Sequence, residues 1–413
     1  MKQILRKVID ERIRDGLWAW RSRGDRTVLT AVLHDMLRWP YPAAADRDHL
    51  QATMDWLCAA QDATGNDGVA AFYDLRMGSW SPAYPETTGY IIPTFFDYAA
   101  AVNDDSYRQR ARRMGEWLLT LQLDSGAFPI GPLWPDWPRD PIVFDTGQIM
   151  QGLLRLFEES GDGRYLTAAR RAGDWLCAIQ DEDGCWRRHT PRPVGHLHTY
   201  NVRVAWSLLW LAVHAPDGCY RQTAVRNLQW TLSQQDGDGW FANAGFTLGE
   251  DPLTHTIVYT IRGLLESALL LDEAVYLDAA RRAADALMQT QTRDGSLRAR
   301  YGRGWRSDLA WSCLTGNAQA SIVWLKLYTL TGDAAYVMAA HHANHSLKRH
   351  QNRHSANIGV RGGIAGSAPI YGGYEPYRYL NWAAKFFADS LLLAQSVAET
   401  SAPGSTTIGV TGR

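Results

Sequence analysis

Two carboxylates in this chain stand in matching surroundings, Glu86 in PETTGY and Asp145 in FDTGQ. A pair of carboxyl groups held ~6.5–9.5 Å apart, with room between them for a bond and a water, can serve as general acid and general base in glycoside hydrolysis. A second set joins His198, Tyr200, Asn201 and Arg203 in HTYNVR to His255, Tyr259 and Arg262 in HTIVYTIR. A Tyr or His base beside a cation or an amide suits removal of a proton next to a carboxylate, the step shared by uronate C5-epimerisation and lyase elimination. Tyr90 and Gln148 follow the two carboxylates, while WSCLTGNAQ supplies Trp311, Asn317 and Gln319, and YRYLNWAAK supplies Tyr379, Asn381 and Trp382. Flat rings among amides, carboxylates and arginines suit a sugar, whose C–H face stacks while its hydroxyls hydrogen-bond. The plainer reading is helix capping, for which Asp, Thr and Asn are favoured, so Asp145 or Thr146 need do no more than close a helix end. Capping does not call for His, Tyr, Arg and Trp one turn further in. The expectation is therefore a binding pocket, with Glu86, Asp145, Tyr200, His255 and Tyr259 as its catalytic candidates. Asp251, Asp308 and Glu375 are carboxylates in reserve.

The elements that position these residues follow from an internal repeat. Six amphipathic segments end in Gln: DWLCAAQ, EWLLTLQ, DWLCAIQ, QWTLSQQ, DALMQTQ and HSLKRHQ, at Gln61, Gln122, Gln180, Gln235, Gln291 and Gln351. Most are followed by a polar turn containing Asp-Gly, and four place a Trp five residues before the Gln (Trp56, Trp117, Trp175, Trp230). Each segment is preceded by a short turn, such as SGDGRY or TGDAAY, and before that by a more apolar helix such as QIMQGLLRLFEES. An all-round apolar helix belongs inside, and a helix with one apolar stripe belongs outside. Six inner and six outer helices in alternation predict an all-α fold, an (α/α)6 toroid of six helical hairpins. The expected division is a helical lead-in over 1–47, the barrel over 48–398 and a disordered tail over 399–413.

The connections are asymmetric. Inner-to-outer turns are short, whereas outer-to-inner connections are long, about residues 62–85, 123–144, 181–198, 236–254, 292–314 and 352–376. Long irregular loops in a compact domain usually carry function. They gather at one mouth of the ring, where the inner helices present their N-termini and their free N–H groups. The catalytic and binding candidates above open inner helices there, and the three reserve carboxylates lie in the loops.

Composition excludes other classes. A formal charge of −1 steers the chain toward neither nucleic acid nor anionic lipid. No apolar run reaches the length of a membrane span. The N-terminus is charged throughout, unlike a signal peptide, so the cytoplasm is the expected location. Five scattered cysteines form no CxxC pair, which argues against a disulfide framework or a zinc site. There is no P-loop, dinucleotide fingerprint or calcium loop, so no cofactor is expected.

The segments SPAYPETTGYIIPT, FDTGQIMQGLLRLFEESGDGRYL, HTYNVRVAWSLLWLA, HTIVYTIRGLLE and GGYEPYRYLNWAAKFFADSLL resemble the six-hairpin glycosidase-like (α/α)6 proteins of bacterial exopolysaccharide gene clusters, over about residues 45–398. Such proteins are often labelled prenyltransferase- or squalene-cyclase-like. The chain lacks the Asp-x-Asp-Asp acid of a cyclase, and it lacks the Cys pair with a nearby His of a lanthionine-cyclase-like zinc site. The stretch Gly316-Asn317-Ala318-Gln319 is partly similar to glucuronyl C5-epimerases. The resemblance implies an oligo- or polysaccharide as substrate, uronic-acid-containing ones included. The expectation is a glycoside hydrolase, with an epimerase or lyase, and then a non-catalytic glycan-binding scaffold, as alternatives.

Overall fold

A computed structural model describes residues 26–37, 39–190 and 196–400. Residues 1–25 of the expected lead-in and 401–413 of the expected tail lie outside the described residues.

The first described helix, α1 (Arg26–Met36), precedes the ring. Outer helices α2 (Asp46–Asp62), α4 (Asp105–Leu119), α6 (Gly163–Ala178), α8 (Tyr220–Ser233), α10 (Ala274–Gln289) and α12 (Ala334–Lys348) alternate with inner ones. These are α3 (Pro85–Val102), α5 (Val143–Ser160), α7 (Val202–His214), α9 (Thr254–Leu271), α11 (Leu314–Thr331) and α13 (Asn381–Thr400). Each inner helix packs on the next, and α13 returns to pack on α2 and α3. The chain is therefore a closed (α/α)6 toroid, as its repeat predicts. No helix of the described residues is long and apolar enough to cross a membrane.

The outer helices bury one stripe, much of it alanine, as in Ala279, Ala280, Ala283 and Ala284 of α10. Small side chains let those helices sit close to the inner ring. The short turns are made by left-handed residues such as Gly161 and Gly332, followed by Asp162 and Asp333, whose carboxylates cap α6 and α12.

The repeated glutamines explain their own spacing. Gln122 donates both amide N–H groups, one to Gly126 O in its own turn and one to Ala168 O in the next outer helix, each at 2.8 Å. Gln180 reaches Gly184 O and Thr223 O, Gln235 reaches Gly239 O and Ala279 O, and Gln291 reaches Gly295 O and Ala339 O. Gln61 does the same through Asp67 O and Arg110 O. Gln351 closes the circle on the first repeat, donating to Gly362 O at 2.7 Å, to Thr53 Oγ1 at 2.7 Å and to His49 O at 3.3 Å. The turn glycine is needed for two reasons. Gly295 has φ +83°, and a Cβ there would lie 2.1 Å from His342 O.

Two small sheets lock the mouth. β1 (Phe72–Asp74) lies between β2 (Ser79–Trp80) and β5 (Arg378–Leu380), so the first and last long loops pair directly, Tyr73 opposite Tyr379. β3 (Ser312–Cys313) pairs with β4 (Ser367–Ala368).

Replacing Gln351 with Leu leaves His49 O, Thr53 Oγ1 and Gly362 O without that donor in a buried setting. The variant is expected to lose about 2–4 kcal/mol in urea unfolding, whereas exposed Gln222→Leu changes stability by less than about 0.5 kcal/mol. Equal effects from the two would mean that the amide does not hold the ring.

Candidate functional site

The centre of the mouth is set by the close approach of α3 and α5. A Cβ on Gly89 would lie 2.6 Å from Ile149 Cα, and one on Gly152 would lie 2.2 Å from Gly89 O. One turn toward the mouth from this crossing stand Glu86 and Asp145, both buried. Asp145 Oδ2 accepts the Gly131 N–H at 3.1 Å. The Tyr84 hydroxyl is placed to hydrogen-bond both carboxyl groups.

Burial governs their protonation. Desolvation raises Glu86 to about 7, partly opposed by Tyr84 and by the Arg203 guanidinium. Desolvation and the neighbouring Glu86 charge push Asp145 well above the usual carboxylate range, against the Gly131 N–H and the Tyr84 hydroxyl. The two titrate as a pair that keeps a proton near neutral pH.

Around them the other candidates form a polar, ring-lined wall. Arg203 stacks over Tyr259 at 4.6 Å and donates through Nε to Gln148 Oε1 at 2.8 Å. Tyr90 shares a hydrogen bond with Tyr259 and stacks on Phe386 at 5.6 Å. His255 meets Tyr259 at 4.4 Å between ring centres, and its Nδ1 pairs with Gln319 Oε1 at 3.1 Å. Tyr200 lies in a one-turn 3-10 helix (Thr199–Asn201) that also holds the buried Asn201, and it packs against His198 at 4.6 Å. His198 Nδ1 pairs with Gly245 O at 3.1 Å. Trp382 donates its indole N–H to the Tyr374 hydroxyl at 3.1 Å, and Tyr374 faces His255 at 5.8 Å.

Four buried polar atoms of this wall have no hydrogen-bond partner: Gln148 Nε2, His198 Nε2, Tyr200 Oη and Gln319 Nε2. Buried polar groups are ordinarily paired, so such a cluster marks a place for a polar ligand. Burial lowers His198 to about 4 and His255 to about 3, so both imidazoles are neutral. The same desolvation raises Tyr200 and Tyr259, which keep their protons.

Other sequence candidates lie elsewhere. Arg262 is a turn deeper than Tyr259 and is ion-paired with Glu266, which Lys326 also contacts at 2.7 Å. Asn317 accepts the Leu297 N–H at 3.1 Å, and Asn381 donates to Ala70 O and Thr87 Oγ1. These asparagines hold loops to helix starts, as Thr146 does by accepting the Phe128 N–H at 3.0 Å. Tyr379 is buried in β5, within electrostatic reach of Tyr41 and Asp35 on the lead-in side. Trp311 is half-buried beside Gly373, at the edge of a cleft shared with Asp251 and Asp308. Glu375 pairs with Arg378. Sequence reasoning missed Tyr84, Gly131 and Tyr374, which lie in loops. Only the position of Tyr84, directly before Pro85-Glu86, carried a signal.

No known family profile matches the chain, and no curated protein is similar to it in sequence. Solved structures share its fold. An unsaturated glucuronyl hydrolase from Bacillus sp. GL1 superposes with a TM-score of 0.65 at 16% identity, covering 84% of this chain and 96% of that one. A cellobiose 2-epimerase from Bacillus thermoamylovorans gives 0.66 at 13% identity, covering 84% and 97%. A GH76 α-mannanase from Bacteroides thetaiotaomicron gives 0.63 at 13% identity, covering 86% and 97%.

The raised Glu86 value has a thermodynamic consequence. Its folded-state value lies above its unfolded one, so the stabilisation from protonation is complete below about pH 4.5 and is lost as the pH rises through about 7. Glu86→Gln, uncharged throughout, is expected to match the parent near pH 4 and to exceed it near pH 8 by on the order of 2–3 kcal/mol. Thermal or urea unfolding across that range checks this; a pH-independent difference contradicts a buried, proton-holding Glu86.

Proposed function

We propose that the chain is a carbohydrate-active enzyme that hydrolyses a glycosidic bond in an oligo- or polysaccharide, with Glu86 and Asp145 sharing the acid and base roles. The observation that carries this reading is the buried carboxyl pair on adjacent inner helices, each pushed upward by burial. Hydrolysis needs one carboxyl group that gives a proton to the leaving oxygen and one that draws a proton from water. A pair holding one proton near neutrality supplies both. The open groups at Gln148, Tyr200 and Gln319, with His198 Nε2 as an acceptor because its Nδ1–H is given to Gly245 O, would then take sugar hydroxyls, and the rings of Tyr259, Tyr374 and Trp382 would line the sugar's faces.

Epimerisation and elimination rank behind. Their candidate bases are displaced from the working range: Tyr259 is held far above it, and His255 falls to about 3. A general base works best with a value near the operating pH. Neighbours of both kinds share the fold, which therefore does not decide between them. The resemblance to proteins of exopolysaccharide clusters points to fragments of a bacterial polysaccharide as the substrate source.

Glu86→Gln and Asp145→Asn are each expected to cut the release of reducing ends about a thousandfold, while Tyr259→Phe keeps most of it. The parent rate should fall as the pH rises above about 7, where Glu86 loses its proton. Deuterium entering the sugar from solvent without cleavage would establish epimerisation instead. An unsaturated, ultraviolet-absorbing product would establish elimination, and binding without turnover would establish a scaffold.

A further inference from the structure

Beside the mouth lies a groove that the carboxyl pair does not use. A cleft of about 650 Å³ runs between the loop that leads into α9 and the loop that leads into α11, with Glu250 and Asp251 on one side and Arg300 and Asp308 on the other. Arg306 lines both this cleft and a second one of about 460 Å³ further out, which holds Asp236 and Asp238. The inner end is Trp311, whose half-buried indole rests on Gly373. A Cβ at Gly373 would come within 2.6 Å of Trp311 Cζ2, so only glycine leaves the indole in place. The next residue is Tyr374, which faces His255 beside the carboxyl pair. The groove therefore adjoins, through Gly373 and Tyr374, the wall of rings around the carboxyl pair.

Its chemistry selects among ligands. Arg300 is taken up by Glu250 at 2.9 Å and by Asp251 O at 2.7 Å, and Arg303 is taken up by both oxygens of Asp236. Asp251, Asp308 and Asp238 have no ion-pair partner among the described residues, and Arg306 is the single lining cation without one. Ser307 Oγ is buried with no partner. Five carboxylates face three guanidinium groups along the two clefts. An acidic chain would meet net repulsion there. Neutral sugars offer hydroxyls to the spare carboxylates and to Ser307, and a C–H face to Trp311.

We infer that this groove is an extended subsite for the continuation of a glycan whose scissile bond sits over the carboxyl pair, and that it takes neutral rather than uronic or sulfated sugar residues. This rests on the hydrolase reading for the direction of the chain. Binding in the groove itself does not require turnover.

The test therefore measures binding in the Glu86→Gln chain by calorimetry, with glucan-, mannan- and galactan-derived neutral hexasaccharides and with hexagalacturonate. At least one neutral hexasaccharide is expected to bind, and its Kd should rise about tenfold when Trp311→Ala or Asp308→Asn is added. The corresponding disaccharide should not respond to either change. Circular dichroism and unfolding of each variant verify the fold, and Asp308, exposed on its loop, gives a readout where Trp311 disturbs packing. Hexagalacturonate binding as well as the neutral chains, no binding of any neutral hexasaccharide, or indifference to both substitutions would each overturn the assignment. Failure of the hydrolase reading shows separately, as turnover that survives Glu86→Gln.

Discussion

A primary amide has two N–H donors in a fixed fork, and this ring is built on that geometry. Each of the six repeated glutamines spends one N–H on the turn that ends its own helix and the other on a mid-helix carbonyl of the next outer helix. Satisfying both fixes where each long loop departs relative to the following hairpin. The sixth glutamine has only the first helix left to meet, and Gln351 meets it at His49 O. Closure thus reuses the bond of the other five repeats and adds Thr53 Oγ1 and the His49 ring as further partners of Gln351. The antiparallel pairing of β1 with β5 repeats the closure at the mouth.

Inside that frame the inner helices are pressed together, and the chemistry follows from the pressure. Where Gly89 and Gly152 remove side chains from the crossing of α3 and α5, the first turns of both helices carry a carboxyl group into a space that excludes water. Removal from water is what raises Glu86 and Asp145, and their nearness prevents both from ionising together. The Gly131 N–H and the Tyr84 hydroxyl oppose that rise at Asp145. The barrel walls thus set the protonation of the pair. A looser ring would leave two ordinary acids.

Much of this was legible in the sequence, for a physical reason. A hairpin repeat leaves its period in the chain, so Gln61 to Gln351 announce six units, and the alternation of long and short connections names the working mouth. Helix-start positions are likewise countable, which is why Glu86, Asp145, Arg203, His255 and Tyr259 converge as their places in the repeat imply. Three further candidates make other contacts. Asn317 and Asn381 occupy the same kind of position and bond loop backbone through one amide atom while the other is left open, and Arg262 stands a turn deeper, paired with Glu266. Residue type at a helix start does not tell whether the side chain serves the loop or the lumen. Tyr84, Gly131 and Tyr374 belong to irregular loops with no period to place them, so only the folded chain brings them to the pair.

Everything at the mouth of the ring turns on two carboxyl groups that hold a proton between them. Carboxyl-carbon NMR of protein labelled in Glu and Asp side chains, followed as a function of pH and assigned with Glu86→Gln and Asp145→Asn, measures this directly. The expected result is a Glu86 resonance with a midpoint near 7, and an Asp145 resonance that also titrates above the usual range and shifts in the Glu86→Gln chain. Two independent titrations in the ordinary range of about 3.5–4.5 would contradict it.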